Sequence, residues 1–135
     1  MKRTLTAVAL LVGLASQNSL AAITIVPLSW TGTYKDTNGG LMVMLDNAGK
    51  IDVSGTDRGS IYRLVCTIQS DDTNIANCTG DGVNFQQAES PQRFTYRSQL
   101  RRSNQNSFIE EWEGTFEAGS RSGKAQFKRV SSASR

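Results

Sequence analysis

The sequence predicts an all-β protein, a small antiparallel meander barrel of about eight strands that carries one disulfide bond. After residue 22, short runs of alternating apolar and polar residues end at clusters of Gly, Asn, Asp or Ser, and no helical period is present. The connections between the runs are short, which favours sequential hairpins and therefore an up-and-down barrel. A two-sheet β-sandwich is the alternative arrangement for the same pattern.

The first 22 residues have the features of a secretory signal peptide. Lys2 and Arg3 precede an apolar run at residues 5–15, and Ser19-Leu20-Ala21 supplies small residues at positions −3 and −1 of a cleavage site. The apolar run is too short to span a membrane, and no later stretch is suited to do so. We therefore expect export from a bacterium into the periplasm or the medium, one barrel domain over residues 23–130, and a flexible tail over residues 131–135.

The charge of the chain argues against a nucleic-acid partner. The sequence has 15 basic and 12 acidic side chains, a formal net charge of +3, and no histidine. Loss of Lys2 and Arg3 with the signal peptide leaves 13 basic against 12 acidic side chains, or +1. A nucleic-acid-binding surface needs a dense cluster of positive charge, and this chain has none.

The stretch of residues 61–85 contains both cysteines of the chain. Two apolar-rich runs flank the polar cluster Ser70-Asp71-Asp72-Thr73-Asn74, a pattern typical of an antiparallel hairpin. A turn centred on Asp72 places Cys66 directly opposite Cys78, close enough for a disulfide bond. Such a bond is the expected state of a cysteine pair in an exported protein.

Three short strands are predicted ahead of this hairpin, at residues 29–35, 41–45 and 50–56. Turns rich in Asp, Asn and Gly separate them, at residues 36–40, 46–49 and 57–59. Alternation places Trp30, Gly32 and Tyr34 on one face of the first strand. It places Ile51 and Val53 on the inner face of the third strand. In the second strand, Leu41, Val43 and Leu45 share one face and Met42 and Met44 the other, and the pattern leaves open which face is buried.

Two further hairpins are predicted in the second half of the chain. In the first, residues 92–100 pair with residues 108–117 in the register that sets Tyr96 opposite Trp112. The same register joins the charges of Arg97 and Glu111 on the other face.

The second of these hairpins turns at residues 118–123. Its register sets Phe116 opposite Ala125 inside, and it pairs Glu117 with Lys124 and Glu113 with Lys128 outside. Each register satisfies the apolar face and the charged face together, which supports both predictions.

The segments Trp30-Thr31-Gly32-Thr33-Tyr34, Asp36-Thr37-Asn38-Gly39-Gly40 and Asp46-Asn47-Ala48-Gly49-Lys50-Ile51 form a Gly-aromatic strand followed by D-x-x-G turns. This opening resembles that of calycin-type barrels, and of avidins especially. The resemblance implies an eight-stranded barrel. It does not imply biotin binding, because Lys35-Asp36 and Gly39-Gly40 stand where the avidin pattern has Asn and then Ser.

The residue types exclude most catalytic chemistry. Without histidine there is no Ser-His-Asp or Cys-His system and no His-ligated metal, and no S-x-x-K motif is present. A carboxylate hydrolase using Glu110 is the one enzymatic option, because Glu110 shares the apolar face of Phe108 and Trp112, where its pKa would be raised. The alternative interpretation places Glu110 at the barrel rim, either solvated or bonded to Ser98. We expect no enzymatic activity, no metal and no cofactor.

The leading functional hypothesis is a non-catalytic barrel that binds another protein, as an inhibitor, immunity protein or accessory subunit would. Loops on a stiff scaffold are the usual contact sites. The candidate contacts lie in the turn at residues 57–59, the hairpin tip and a predicted loop at residues 101–107. They are Asp57, Arg58, Asp71, Asp72, Arg101 and Arg102. The second hypothesis is a calycin-like carrier of a small apolar ligand, with interior contacts from Tyr34, Tyr96, Glu110 and Trp112.

Overall fold

A computed structural model describes residues 28–86 and 89–130, and it confirms the all-β class. Eight antiparallel strands form a closed barrel in which sequential strands pair and the first strand also pairs with the last. The strands are β1 (Gly32–Asp36), β2 (Leu41–Asn47), β3 (Lys50–Asp57), β4 (Ser60–Ile68), β5 (Ile75–Asn84), β6 (Gln92–Asn104), β7 (Ser107–Phe116) and β8 (Gly119–Arg129). Closure of the sheet excludes the sandwich alternative.

The predicted signal peptide at residues 1–22 and the predicted tail at residues 131–135 lie outside the described residues. Within the described ranges, no helix has the length and hydropathy needed to cross a membrane.

Two tight turns in the first half lie where the sequence predicts turns. Ala48 and Gly49 join β2 to β3 with φ values of 52° and 90°, and Arg58 and Gly59 join β3 to β4 with 42° and 80°. Positive φ at both central residues is the signature of the type I′ turn, whose twist matches that of the strands it connects. Glycine at the second position adopts this conformation without steric cost.

The disulfide bond joins neighbouring strands at the position that the sequence predicts. Cys66 in β4 lies directly opposite Cys78 in β5, with their Cα atoms 4.0 Å apart, and the two sulfur atoms are bonded. The connecting turn is closed by the Ile75 amide, which donates to the Asp72 carbonyl at 3.1 Å. The bond indicates that the protein works in an oxidising, extracellular-type environment.

Removal of this bond should lower the free energy of unfolding by about 2–3 kcal/mol. The expected cause is the greater freedom of the unfolded chain once Cys66 and Cys78 are both replaced by alanine. Urea denaturation of the double variant measures the loss, and wild-type protein reduced with dithiothreitol should show nearly the same midpoint. A double variant as stable as the oxidised wild type would contradict the prediction.

The predicted register of β6 and β7 is wrong by two residues. Ser98 lies opposite Trp112, and Arg97 lies opposite Glu113 instead of Glu111, with 3.0 Å between their charged atoms. The reason is that β6 runs on to Asn104 and turns tightly, so the predicted loop at residues 101–107 is mostly strand. An even shift leaves every side chain on its predicted face.

The predicted register of β7 and β8 is wrong by six residues, because Lys124 lies opposite Glu111 instead of Glu117. The Lys124 ammonium and the Glu111 carboxylate are 3.1 Å apart on the outer surface. The chain reverses directly after Phe116, and Gly119 begins β8 with φ at 135°, so the predicted six-residue turn does not form.

Alternation correctly assigns the inner face, and the structure decides the case that the pattern left open. Met42 and Met44 are fully buried, whereas Leu41, Val43 and Leu45 project outward from the barrel. Inward glycines give the aromatic rings room. A Cβ atom at Gly55 would overlap the Tyr62 ring on the adjacent strand, and one at Gly82 would meet the Phe94 ring. The Tyr62 and Phe94 rings therefore pack directly against the backbone of these glycines.

Candidate functional site: a cavity at the open end

The two ends of the barrel differ. The turns that follow β1, β3, β5 and β7 lie at one end, here called the open end, where a cavity of about 370 Å³ enters the barrel. The opposite end, here called the closed end, is filled by side chains. Its large buried residues are Trp30, Tyr34, Phe108 and Met44.

Two arginines pack over the aromatic residues of the closed end. The Arg102 guanidinium lies 4.2 Å from the centre of the Trp30 ring, and the Arg129 guanidinium lies 4.9 Å from that of Tyr34. Trp30 is only 1% exposed. Arg102 also donates to the Leu28 carbonyl at 3.2 Å, so this side chain closes the barrel instead of standing in a free loop.

Aromatic rings line much of the open-end cavity. Tyr62 and Tyr96 stack with 5.0 Å between ring centres and 20° between planes, and Tyr96 stacks on Trp112 at 6.0 Å and 14°. Phe94 and Phe116 pack together at 4.9 Å beside this row. The full aromatic lining is Tyr62, Phe94, Tyr96, Trp112, Phe116 and Phe127.

The inner part of the cavity contains a buried carboxyl group, Glu110, which is 2% exposed. The Tyr96 hydroxyl donates to its Oε1 atom at 3.0 Å. Burial raises the pKa of Glu110 to about 7; the nearby hydroxyl groups of Tyr96 and Ser98 oppose this rise, and the negative charges of Asp57 and Asp36 add to it. The raised pKa expected from the apolar face is thus confirmed.

The alternative placement of Glu110 at a solvated rim is wrong. The observed registers set Glu110 between Leu100 on β6 and Ala125 on β8, in the middle of the barrel. Parity assigned the correct face, but depth along the barrel depends on the register, and both predicted registers of β7 are wrong.

A second carboxyl group, that of Asp57, lies at the end of β3 and also lines the cavity. Its Oδ1 atom is buried and has no hydrogen-bond partner among the described residues. Burial raises the pKa of Asp57, as does the charge of Asp36, while Arg58 lowers it. Asp36 has a structural role as well, because its Oδ1 atom accepts the amides of Asn38 and Gly40 at 2.8 and 2.7 Å.

Two arginines contribute positive charge to the cavity lining. Both Arg58 and Arg121 are exposed. The Arg121 guanidinium lies 5.4 Å from the centre of the Phe116 ring. The charged lining therefore combines the carboxyl groups of Glu110, Asp57 and Asp36 with two guanidinium groups that reach the solvent.

The structure separates the six predicted partner contacts. Asp57 and Arg58 lie at the open end, whereas the hairpin tip with Asp71 and Asp72 and the end of β6 with Arg101 and Arg102 lie toward the closed end. They do not form one continuous surface.

Of the four predicted interior contacts, Tyr96, Glu110 and Trp112 line the cavity, and Tyr34 fills the closed end. Sequence reasoning missed Tyr62 and Phe94. Alternation in β4 and β6 would have found their inward direction.

Across residues 28–86 and 89–130, no group of three or more His, Cys, Asp or Glu side chains is placed to hold a metal ion. Comparison of the chain with known proteins found no matching family model, no similar curated protein and no similar solved structure.

Proposed function

We propose that this protein is an exported, non-catalytic binding protein that holds a small molecule in its open-end cavity. The observation that carries the proposal is a cavity of about 370 Å³ that six aromatic side chains line together with polar and charged ones. Small-molecule sites typically have volumes of about 300–1,000 Å³ and combine apolar walls with a few placed polar groups. The resemblance of the opening segment to calycin-type barrels supports the same function.

The cavity exists because small residues face the interior where larger ones would fill it. Eight-stranded barrels are just wide enough for side chains to occupy the whole lumen. Gly114 contributes no side chain to the lining of the cavity, and Ala125 contributes only a methyl group. A carrier is expected to keep such space, whereas a purely structural barrel gains stability by filling it.

Binding of another protein is a second candidate function, and the outer surface of β2 and β4 favours it. Exposed apolar side chains on these strands are Leu41, Val43, Leu45, Ile61 and Val65. Apolar groups on a protein surface often mark contact sites for a partner. Location in the periplasm or the medium is part of both proposals, and the disulfide bond and the signal-like leader at residues 1–22 support it.

Blocking the cavity should abolish ligand binding and preserve the fold. We expect a library of small aromatic fragments, screened by ligand-observed NMR, to include molecules that bind the wild type. Ala125→Phe should eliminate this binding because the new ring occupies the cavity beside Glu110.

Gln126→Phe is the matched control, since residue 126 is exposed and points away from the lumen. Gly114→Leu, in the adjacent strand β7, serves as a second blocking variant, and thermal melting verifies that each variant is folded. Absence of any fragment binding to the wild type, or unchanged binding to both folded blocking variants, would overturn the proposal.

A further inference from the structure

We propose that the open-end cavity selects a small organic cation, an ammonium group attached to an apolar body, and that Glu110 is its counter-ion. The inference rests on the proposed small-molecule function and names the chemical class of the ligand. The observation behind it is a carboxyl group buried in the inner part of an aromatic-lined cavity, where the Tyr96 hydroxyl donates a hydrogen bond to its Oε1 atom.

Within residues 28–86 and 89–130, no lysine or arginine forms an ion pair with this carboxyl group. In the described part of the chain, the two ion pairs, Arg97–Glu113 and Lys124–Glu111, both lie on the outer surface. A buried carboxylate needs a partner charge or strong hydrogen bonds, and a ligand that brings a positive charge would supply the missing partner.

The ionisable groups that act on Glu110 from the other strands of the barrel are all acidic. They are Asp36 on β1, Asp57 on β3, Tyr62 on β4 and Tyr96 on β6. Arg58 and Arg121 are the basic groups of the lining, and both reach the solvent, where their charges are screened. The inner cavity therefore favours a positive ligand over a negative one.

The aromatic walls favour the same class of ligand. The face of an aromatic ring is negative and attracts ammonium and guanidinium groups, most strongly when the site excludes water. Arg121 already places a guanidinium 5.4 Å from the centre of the Phe116 ring at this cavity. An apolar ligand body would contact the remaining rings while its charged group approaches Glu110.

The test compares three probes of similar size at about pH 8: benzyltrimethylammonium, benzyl alcohol and benzenesulfonate. Titration calorimetry should show the cation binding at least about tenfold more tightly than either other probe. Glu110→Gln should reduce the cation affinity by about tenfold or more and change the benzyl alcohol affinity by less than about twofold. Glu111→Gln, the same change one residue along and outside the barrel, should leave both affinities unchanged.

The cation affinity should also depend on pH, because the probe carries a permanent charge and only the ionised carboxylate attracts it. Between about pH 8 and pH 5.5, proton uptake by Glu110 should weaken wild-type binding by more than about tenfold, whereas the Glu110→Gln variant should show a nearly flat profile.

The outcomes separate the two proposals. If benzyl alcohol binds as tightly as the cation, or if Glu110→Gln has no greater effect than Glu111→Gln, the cation inference is overturned and the cavity remains a small-molecule site. If none of the three probes binds but neutral fragments do, the cation inference is likewise overturned and the cavity remains a small-molecule site. If no fragment of any class binds the wild type, both proposals are overturned.

Discussion

The free energy of unfolding should fall by about 3 kcal/mol between pH 4 and pH 8 on account of Glu110 alone. Burial raises the pKa of this group from its ordinary value of 4.5 to about 7 in the folded protein. The unfolded chain loses the proton near pH 4.5, whereas the folded protein keeps it until about pH 7. Between these values the folded state binds more protons, so stability decreases as the pH rises, and the full penalty applies above pH 7.

Glu110→Gln should remove this contribution. The amide cannot ionise, and its oxygen can still accept the Tyr96 hydroxyl. Urea denaturation at pH 4 and pH 8 should therefore show the variant gaining about 3 kcal/mol relative to wild type at the higher pH. Glu111→Gln is the control for the loss of one surface carboxylate, and it should follow the wild type apart from its exposed ion pair with Lys124. Parallel pH profiles for wild type and Glu110→Gln would contradict the prediction.

Arg129→Met should destabilise the barrel by about 2–3 kcal/mol, because this guanidinium joins three parts of the closed end. It donates to the Thr31 carbonyl at 2.6 Å, to the Tyr34 hydroxyl at 2.7 Å and to the Gln105 carbonyl at 3.2 Å. Methionine retains the apolar part of the side chain but loses all three hydrogen bonds and the contact of the charge with the Tyr34 ring. The variant would therefore lose the guanidinium that links the end of β8 to the chain before β1 and to the turn between β6 and β7.

Lys128→Met is the matched control for Arg129→Met, since Lys128 is the preceding residue on β8 and is exposed. Surface changes of this kind usually alter stability by less than about 0.5 kcal/mol. Equal urea midpoints for the two variants would show that the Arg129 contacts add no stability. Because the closed end is remote from the cavity, fragments that bind wild-type protein should bind folded Arg129→Met with similar affinity.

These two predictions follow from the different roles of the two ends of the barrel. Aromatic rings and arginine side chains fill the closed end and stabilise the fold, whereas the open half contains the cavity and a carboxyl group whose ionisation costs stability. A buried group that destabilises the protein at neutral pH is expected where binding requires it. An organic cation in the cavity would offset that cost by stabilising the charged form of Glu110.

The sequence alone was sufficient for properties that depend on neighbouring residues. Alternation placed Trp30, Tyr34, Ile51 and Val53 inside, because side chains of a strand project to opposite faces in turn. Parity likewise placed Glu110 on the inner face. The pairing of Cys66 with Cys78 followed from a short hairpin whose turn is marked by Asp and Asn residues.

Only the tertiary structure decided how far along the barrel each residue lies. Several registers join apolar to apolar and acid to base almost equally well, as the wrong partners predicted for Arg97 and Lys124 show. The tight turns after Phe116 and Asn104 selected among those registers. An even shift of the register keeps each side chain on its face but moves it along the barrel axis. The predicted faces are therefore correct, whereas the predicted positions of Glu110 at the rim and of Arg102 in a loop are wrong. The cavity itself depends on which glycines meet which rings across strands, and that is a property of the closed barrel rather than of any one segment.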